Sequence, residues 1–346
     1  MQKLKFFDST LRDGSHAVKH QITLKQISDY CRIVDGSGVY VVIVGHGNGL
    51  GASSLQVGLS LHSDKEMITT ARKELKKTKL GALLIPGFGT IKDDLAPALE
   101  AGVDVVCVGI HCTEADITQQ HIEYIVSQGK EAYGVLMMYH MASKERLLEE
   151  AKKMQSYGAK GVIIMDSAGS STPKMVTDVI GHLSDNLEIE IGFHAHNNLS
   201  MAVASSLLAI ESGATIIDGT TRGFGAGAGN CQLEALLALM QKMSIETDVD
   251  LYKMLDASED VVRKMMLKPQ EVDPVSIVSG LAGVFSGFSP HVRKAADKNG
   301  IDARDIFMEL GRRKVVAGQE DIILAVAQEL AKKKIRTQKT SAKRSR

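Results

Sequence analysis

Tryptophan is absent from this sequence, and aromatic residues make up only 4% of it. A core built on large rings is excluded, so burial must rest on Val, Ile, Leu, Ala and the 15 Met. Cysteine is scarce as well. Cys31, Cys107, Cys112 and Cys231 include no C-x-x-C pair, and two of them sit in or beside apolar, strand-like runs. They read as reduced thiols of a cytoplasmic protein rather than a disulfide framework. No apolar run approaches the roughly 18 residues that a membrane span needs. The opening Met-Gln-Lys-Leu-Lys-Phe-Phe-Asp turns polar too soon for a signal peptide. An excess of one charge is lacking too, since the formal net charge is zero. That zero is unevenly spread. Residues Lys332 to Arg346 hold eight basic side chains and no acid, which leaves −8 on the rest. The expected reading of 332–346 is a disordered, solvated basic tail, with a partner-binding tail as the alternative.

What is present is ordinary in bulk and ordered in pattern. The 346 residues are 44% hydrophobic and 24% charged, enough for one large barrel with an appendage or for two ordinary domains. Eight apolar runs recur: Leu4–Ser9, Tyr40–Gly45, Leu80–Ile85, Asp104–Ile110, Ala132–Tyr139, Gly161–Asp166, Ile189–His194 and Ala214–Asp218. Most are short, rich in β-branched residues and followed by a helical period. In Ser143–Tyr157, for example, Leu147, Leu148, Ala151 and Met154 share one face. Near-continuous apolar strands imply burial on both faces, as in parallel sheets. Eight βα units closing on themselves give a (β/α)8 TIM barrel. A doubly wound open sheet is the runner-up, but Asp8–Gly14 lacks the glycine-rich first turn that such a sheet uses. From Asp248 to Lys334 helical periodicity continues without a convincing strand. The expected organisation is therefore an α/β barrel over 1–245, a C-terminal helical appendage over 246–331 and the basic tail.

Barrel chemistry gathers at the carboxyl ends of the strands. Six of the eleven histidines fall there: His16, His46, His111, His140, His194 and His196. In a strand, residues i and i+2 point to one face, so His194 and His196 can both enter the barrel mouth, about 7 Å apart at Cα. A bare H-x-H is a weak signal alone. It gains weight because Asp13 ends the first strand unit, and only strand 8 separates strands 7 and 1 in a closed barrel. Two imidazoles, one carboxylate and open positions suit a divalent ion that keeps water or substrate oxygens. Oxygen ligands from a 2-oxo acid would favour Mn2+ or Mg2+, while the residues alone leave Zn2+ and Fe2+ open. Arg12 beside that ion can hold a carboxylate or stabilise an enolate; a surface arginine is the alternative. His16 has the ordinary pKa for acid–base work; a structural histidine is its alternative. Gly223-Phe224-Gly225-Ala226-Gly227-Ala228-Gly229-Asn230 is either a loop closing on a ligand or a tight packing turn.

With these residues in view, the chain resembles the 4-hydroxy-2-oxovalerate aldolases, part of a wider superfamily of metal-dependent pyruvate-type lyases and synthases. The likeness spans almost the whole chain. Its motifs are Asp8-Ser9-Thr10-Leu11-Arg12-Asp13-Gly14-Ser15-His16, His46-Gly47-Asn48-Gly49-Leu50-Gly51 and His111-Cys112-Thr113-Glu114-Ala115-Asp116. They continue with Met138-Tyr139-His140-Met141-Ala142, Asp166-Ser167-Ala168-Gly169, Gly192-Phe193-His194-Ala195-His196-Asn197-Asn198, Gly225 to Asn230, Glu309 to Arg313 and Gly318 to Asp321.

The resemblance implies that Asp13, His194 and His196 ligate a metal, usually Mn2+. It implies that Arg12 steadies a pyruvate enolate and that His16 handles the proton of a C4 hydroxyl. Ser167 and the position of Phe285 fall among the substrate-facing residues. The implied reaction is retro-aldol cleavage of 4-hydroxy-2-oxopentanoate to pyruvate and acetaldehyde. The implied partners are a 2-oxo acid, an acylating acetaldehyde dehydrogenase docked on the C-terminal helices, and further copies of the chain; no nucleic acid and no membrane is expected.

Three positions depart from the family. Ile43 stands where a glutamate near the end of strand 2 supports the arginine. Phe285 stands where a tyrosine reaches the site, and Asn48 where an aspartate is usual. They leave room for a catalytically altered homologue that acts as a partner subunit. A Claisen-type synthase using an acyl-CoA is the other enzyme alternative. A non-haem Fe2+ oxygenase fits poorly, because its carboxylate usually lies close to the first histidine in sequence.

Overall fold

The computed structural model describes residues 3–344, with side chains through residue 335. All eight apolar runs form strands: β1 Lys5–Asp8, β2 Val41–Ile43, β3 Lys79–Leu84, β4 Val105–His111, β5 Glu131–Met137, β6 Gly161–Asp166, β7 Glu190–Ala195 and β8 Ile216–Gly219. Each pairs in parallel with the next, and β8 closes on β1 with Lys5 opposite Ile216 and Asp8 opposite Gly219. The barrel and the C-terminal helices expected from the sequence are both present.

The helices begin where short polar side chains can cap them. Thr23 caps Leu24–Val34 and Ser63 caps Asp64–Glu74, each in a reciprocal capping box with Gln26 and Glu66. Ser143 caps Lys144–Ser156, and Thr172 precedes Pro173–Asn186 with proline in the first turn. Their apolar stripes pack on the outer faces of the strands. Ile27, Leu147, Ala151, Val176 and Ile180 belong to one continuous cluster with Val42, Val106 and Ile164.

A second cluster fills the barrel interior, with Phe7, Ile43, Leu83, Val135, Ile163 and Ile216 among its members. Gly81 faces this space, where a Cβ would lie 2.7 Å from Val41. The amino end of the barrel is plugged by charge. Lys5 pairs with Glu190 at 2.5 Å, and Lys79 and Lys160 pair with Glu131 at 2.6 and 2.7 Å. The Lys5 and Lys79 ammonium groups also lie over the Tyr40 ring, 4.5 and 4.3 Å from its centre. Reactive groups are thereby left to the carboxyl end.

The C-terminal helices Pro274–Ala282, Ser289–Asn299, Ala303–Arg312 and Glu320–Arg344 build a third core around Phe288, Val292, Ile306, Phe307 and Val326. The short helices from Leu251 to Met265 do not join it. Their Met254, Ala257, Val261 and Met265 pack with the barrel, so the change of core falls some twenty residues later than residue 246. The last helix continues to Arg344, into the stretch for which the composition suggests a disordered tail. Lys, Arg, Gln and Ala are good helix formers, so a stretch of this composition can carry a helical backbone.

The appendage sits on the barrel mouth through polar contacts. Ser286 N–H donates to the Ser167 carbonyl at 2.9 Å, and His140 Nε2 lies 3.0 Å from the Gly283 carbonyl. Gln56, on the long loop after β2, donates to Glu320 at 3.0 Å. No helix among the described residues is long and apolar enough to cross a membrane.

Candidate metal centre and active site

The first βα turn is held by its own side chains. Asp8 accepts from Thr10 N–H at 2.9 Å and from the Tyr30 hydroxyl at 2.5 Å. Burial raises the Asp8 carboxyl to about 6, against the pull of these bonds. The fixed turn starts the helix Thr10–Ala17, whose first turns present Arg12, Asp13 and His16.

Asp13 is buried and fully engaged. Its Oδ1 accepts from Ala226 N–H at 2.9 Å and from Asn230 Nδ2 at 3.1 Å, while Oδ2 accepts from Arg12 Nη1 at 2.6 Å. Burial opposes its charge, but Arg12 and the surrounding imidazoles outweigh burial and hold the carboxyl well below the usual carboxylate range. The glycine loop is required for this fit. A Cβ on Gly225 would collide with both Asp13 Oδ1 and Asn230 Nδ2.

His194 on β7 and His196 just past its end face one way, as the two-residue period requires. Their Nε2 atoms lie 4.0 and 3.9 Å from Asp13 Oδ2. His196 Nδ1 is 3.0 Å from the Asp166 carbonyl. A carbonyl only accepts, so this Nδ1 carries the proton and the Nε2 lone pair turns to Asp13. Burial lowers the His196 pKa to about 4, partly offset by Asp13, so the ring is neutral near pH 7. One ligand atom from each of Asp13, His194 and His196 fits within 4.8 Å of the others. His194 Nε2 and Asn230 Oδ1 are buried with no hydrogen-bond partner. A carboxylate, two imidazoles and orphaned donor atoms at one point fit a divalent cation.

Arg12 and His16 flank this point. Besides Asp13, the Arg12 guanidinium reaches Ser9 Oγ at 3.3 Å and the Gly47 carbonyl at 3.5 Å, and its Nε is buried without a partner. His16 is pushed down to about 4 by burial, partly offset by Asp13, and is unprotonated at neutral pH. It packs edge-on to His20, with centroids 5.1 Å apart, and His20 stacks on His46 at 3.7 Å. A Cβ on Gly47 would strike the His16 ring.

The remaining candidates lie elsewhere. His111 Nδ1 bonds Thr113 Oγ1 at 2.9 Å, and His140 ties the mouth to the appendage. Ser167 is fully buried, and its Oγ accepts from Met138 N–H at 3.1 Å. Ile43 packs in the barrel interior. Phe285 packs edge-on against Phe288 and lines a cavity of about 520 Å3 together with Asn48, Ile85, Met137 and Val316. Sequence reasoning passed over Ser9, His20, Asp218 and Asn230. Asp218 carried a signal, being a carboxylate two residues beyond inward-facing Ile216 in an otherwise apolar strand; His20 carried none.

A closed eight-stranded barrel with a buried carboxylate–diimidazole cluster at its carboxyl end defines a class of TIM-barrel enzymes built to hold a metal ion. The chain belongs to the HMGL-like family, which matches residues 3–261, and to its 4-hydroxy-2-oxovalerate aldolase branch. Residues 270–332 match the DmpG-like communication domain. Relatives named 4-hydroxy-2-oxovalerate aldolase include one from Spirochaeta aurantia, 55% identical over 93% of this chain and 95% of that protein. Another, from Pectobacterium atrosepticum, is 54% identical over 96% of this chain and 97% of its own length. The carboxyl transferase domain of Rhizobium etli pyruvate carboxylase shares the fold, with a TM-score of 0.80 at 13% identity. That match covers 96% of this chain and 61% of the longer one. The protein is an enzyme of the carbon–carbon lyase class.

Proposed function

We propose that this enzyme cleaves 4-hydroxy-2-oxopentanoate, or a related 4-hydroxy-2-oxo acid, to pyruvate and an aldehyde. One observation carries the reading: Asp13, His194 and His196 converge, buried, beside Arg12 and His16. Asp13, His194 and His196 would hold a divalent ion, Mn2+ first and Mg2+ or another second. The bound ion supplies Lewis-acid polarisation of the 2-oxo group. Arg12, anchored on Asp13, stabilises the negative charge that grows on the 2-oxo oxygen. Neutral His16 takes the proton of the C4 hydroxyl as the C3–C4 bond breaks. The bond's electron pair passes to C3 and on into the pyruvate enolate, and His16 returns a proton to C3. Ser167, buried under the Met138 N–H, and Phe285, on the appendage, are the further side chains this reading assigns to the substrate.

The match of residues 270–332 supports docking of an acylating acetaldehyde dehydrogenase on the C-terminal helices. Four free, buried cysteines support a cytoplasmic setting. The direct experiment supplies 4-hydroxy-2-oxopentanoate with Mn2+ and follows pyruvate. No pyruvate from any 4-hydroxy-2-oxo acid rejects the proposal. The orphaned Arg12 Nε, with Ile43 in place of a carboxylate, favours one second reading: a slowed homologue that serves chiefly as a partner subunit.

A further inference from the structure

Asp218 lies on the inward face of β8, buried, and touches three parts of the site at once. Its Oδ1 accepts from the Ser9 hydroxyl at 2.7 Å. Its Oδ2 sits 2.9 Å from His194 Nδ1 and 4.0 Å from Arg12 Nη2. The carboxylate approaches Nδ1 closely but not as an aligned hydrogen bond.

A neutral imidazole has one N–H and two places to put it. For His196 the Asp166 carbonyl settles the choice. His194 has no such carbonyl. Among the described residues, the charged group in contact with its Nδ1 is the Asp218 carboxylate. A negative charge there draws the proton to Nδ1 and leaves the Nε2 lone pair facing Asp13. Without it the proton is free to sit on Nε2, and a protonated nitrogen has no lone pair for a metal.

The same carboxylate stands by Arg12. Ile43 brings none from β2, and Arg12 Nε has no partner. Among the described residues, Asp13 and Asp218 are the carboxylates within 4.0 Å of the Arg12 guanidinium. Asp13 is committed to the cluster. Asp218 is therefore the second counter-charge, and Ser9 fixes it by its other oxygen.

We infer that Asp218 is the positioning residue of this site: it sets the tautomer of His194 and serves as the second anchor of Arg12. The inference rests on the metal reading of the proposed function. It is separable by measuring Mn2+ binding by electron paramagnetic resonance and the His194 tautomer by nitrogen-15 imidazole NMR on metal-free protein. Wild-type protein should show Nδ1–H at His194 and bind Mn2+. Asp218→Ala should populate the Nε2–H form and weaken Mn2+ binding by roughly 10–100-fold, the usual effect of removing an outer partner of a ligand. Asp218→Glu should recover part of that loss, and Asp218→Asn repeats the test should the alanine variant not fold. Variants that keep the tautomer and bind Mn2+ like wild type overturn the inference and leave the metal reading standing. Wild-type protein that binds no Mn2+ overturns the metal reading, and the inference with it.

Discussion

Strands β7, β8 and β1 line the barrel mouth with His194, Asp218 and, just past the last of them, Ser9, Arg12 and Asp13, whereas β2 to β6 line the interior with Ile43, Leu83, Cys107, Met137 and Met165. In the polar half each side chain has an assigned partner, and the atoms without one, such as His194 Nε2 and Arg12 Nε, point to a function. In the apolar half, volume and shape are enough. Removing a metal-facing side chain from the first half should therefore alter chemistry more than stability, and emptying an apolar position in the second should do the reverse.

The comparison can be broken most sharply at His194. His194→Ala should abolish metal-dependent turnover, by roughly a thousandfold or more, beyond the 10–100-fold typical of outer partners. Unchanged Mn2+ affinity in that variant contradicts the ligand assignment. Gly225→Ala is the next largest. Its methyl group would displace Asp13 or Asn230, so Mn2+ binding should fall together with stability, the latter by about 1–3 kcal/mol. Titration of the metal and urea unfolding read the two losses separately.

Ile163→Ala probes the apolar half. It empties a fully buried position and should cost about 2–5 kcal/mol in urea unfolding. Mn2+ affinity should stay near wild type; a large loss would show that the halves are coupled. Ile43→Glu combined with Phe285→Tyr extends polarity across the divide. Pyruvate formation should rise severalfold if these two side chains limit the rate. Turnover no faster than wild type counts against the slowed-subunit reading.

The smallest effect is that of pH. Burial pushes His16, His20 and His46 down to about 4, 3 and 4. Their folded pKa values lie below the unfolded one, so the unfolded chain binds more protons in that interval. Their contribution is complete above about pH 6.5 and is lost as pH falls towards 4. Asp8, raised to about 6, acts in the opposite sense between about pH 4 and 6, while His196, lowered to about 4, adds to the three histidines. Thermal melting of metal-free protein should therefore shift down by several degrees from pH 7 to 5. Melting unchanged over that range would show that the histidines are not held neutral.

Much of the fold was legible because its signals are local. β-Branched apolar runs, the helical period and Ser or Thr caps lie within windows of ten to fifteen residues and need no knowledge of the partner. The two-residue period put His194 and His196 on one face, and barrel closure brought Asp13 near. The change of core near residue 270 was less legible. The helices from Leu251 to Met265 have the same amphipathic pattern as those that follow, and only packing decides which core takes them. His20 was illegible for a different reason. It lies beyond the first helix in a loop, and its stack on His46 joins residues 26 positions apart through a turn that no motif announces.

The sequence by itself determined the number of strands, their order and the side chains able to hold a divalent ion, since periodicity and residue chemistry are properties of short stretches. Tertiary structure alone decided that Asp218 of β8 meets Ser9 and Arg12, just after β1, and His194 of β7. Those contacts exist because the sheet closes on itself, which brings the last strand beside the first and turns buried charges from three segments towards one another.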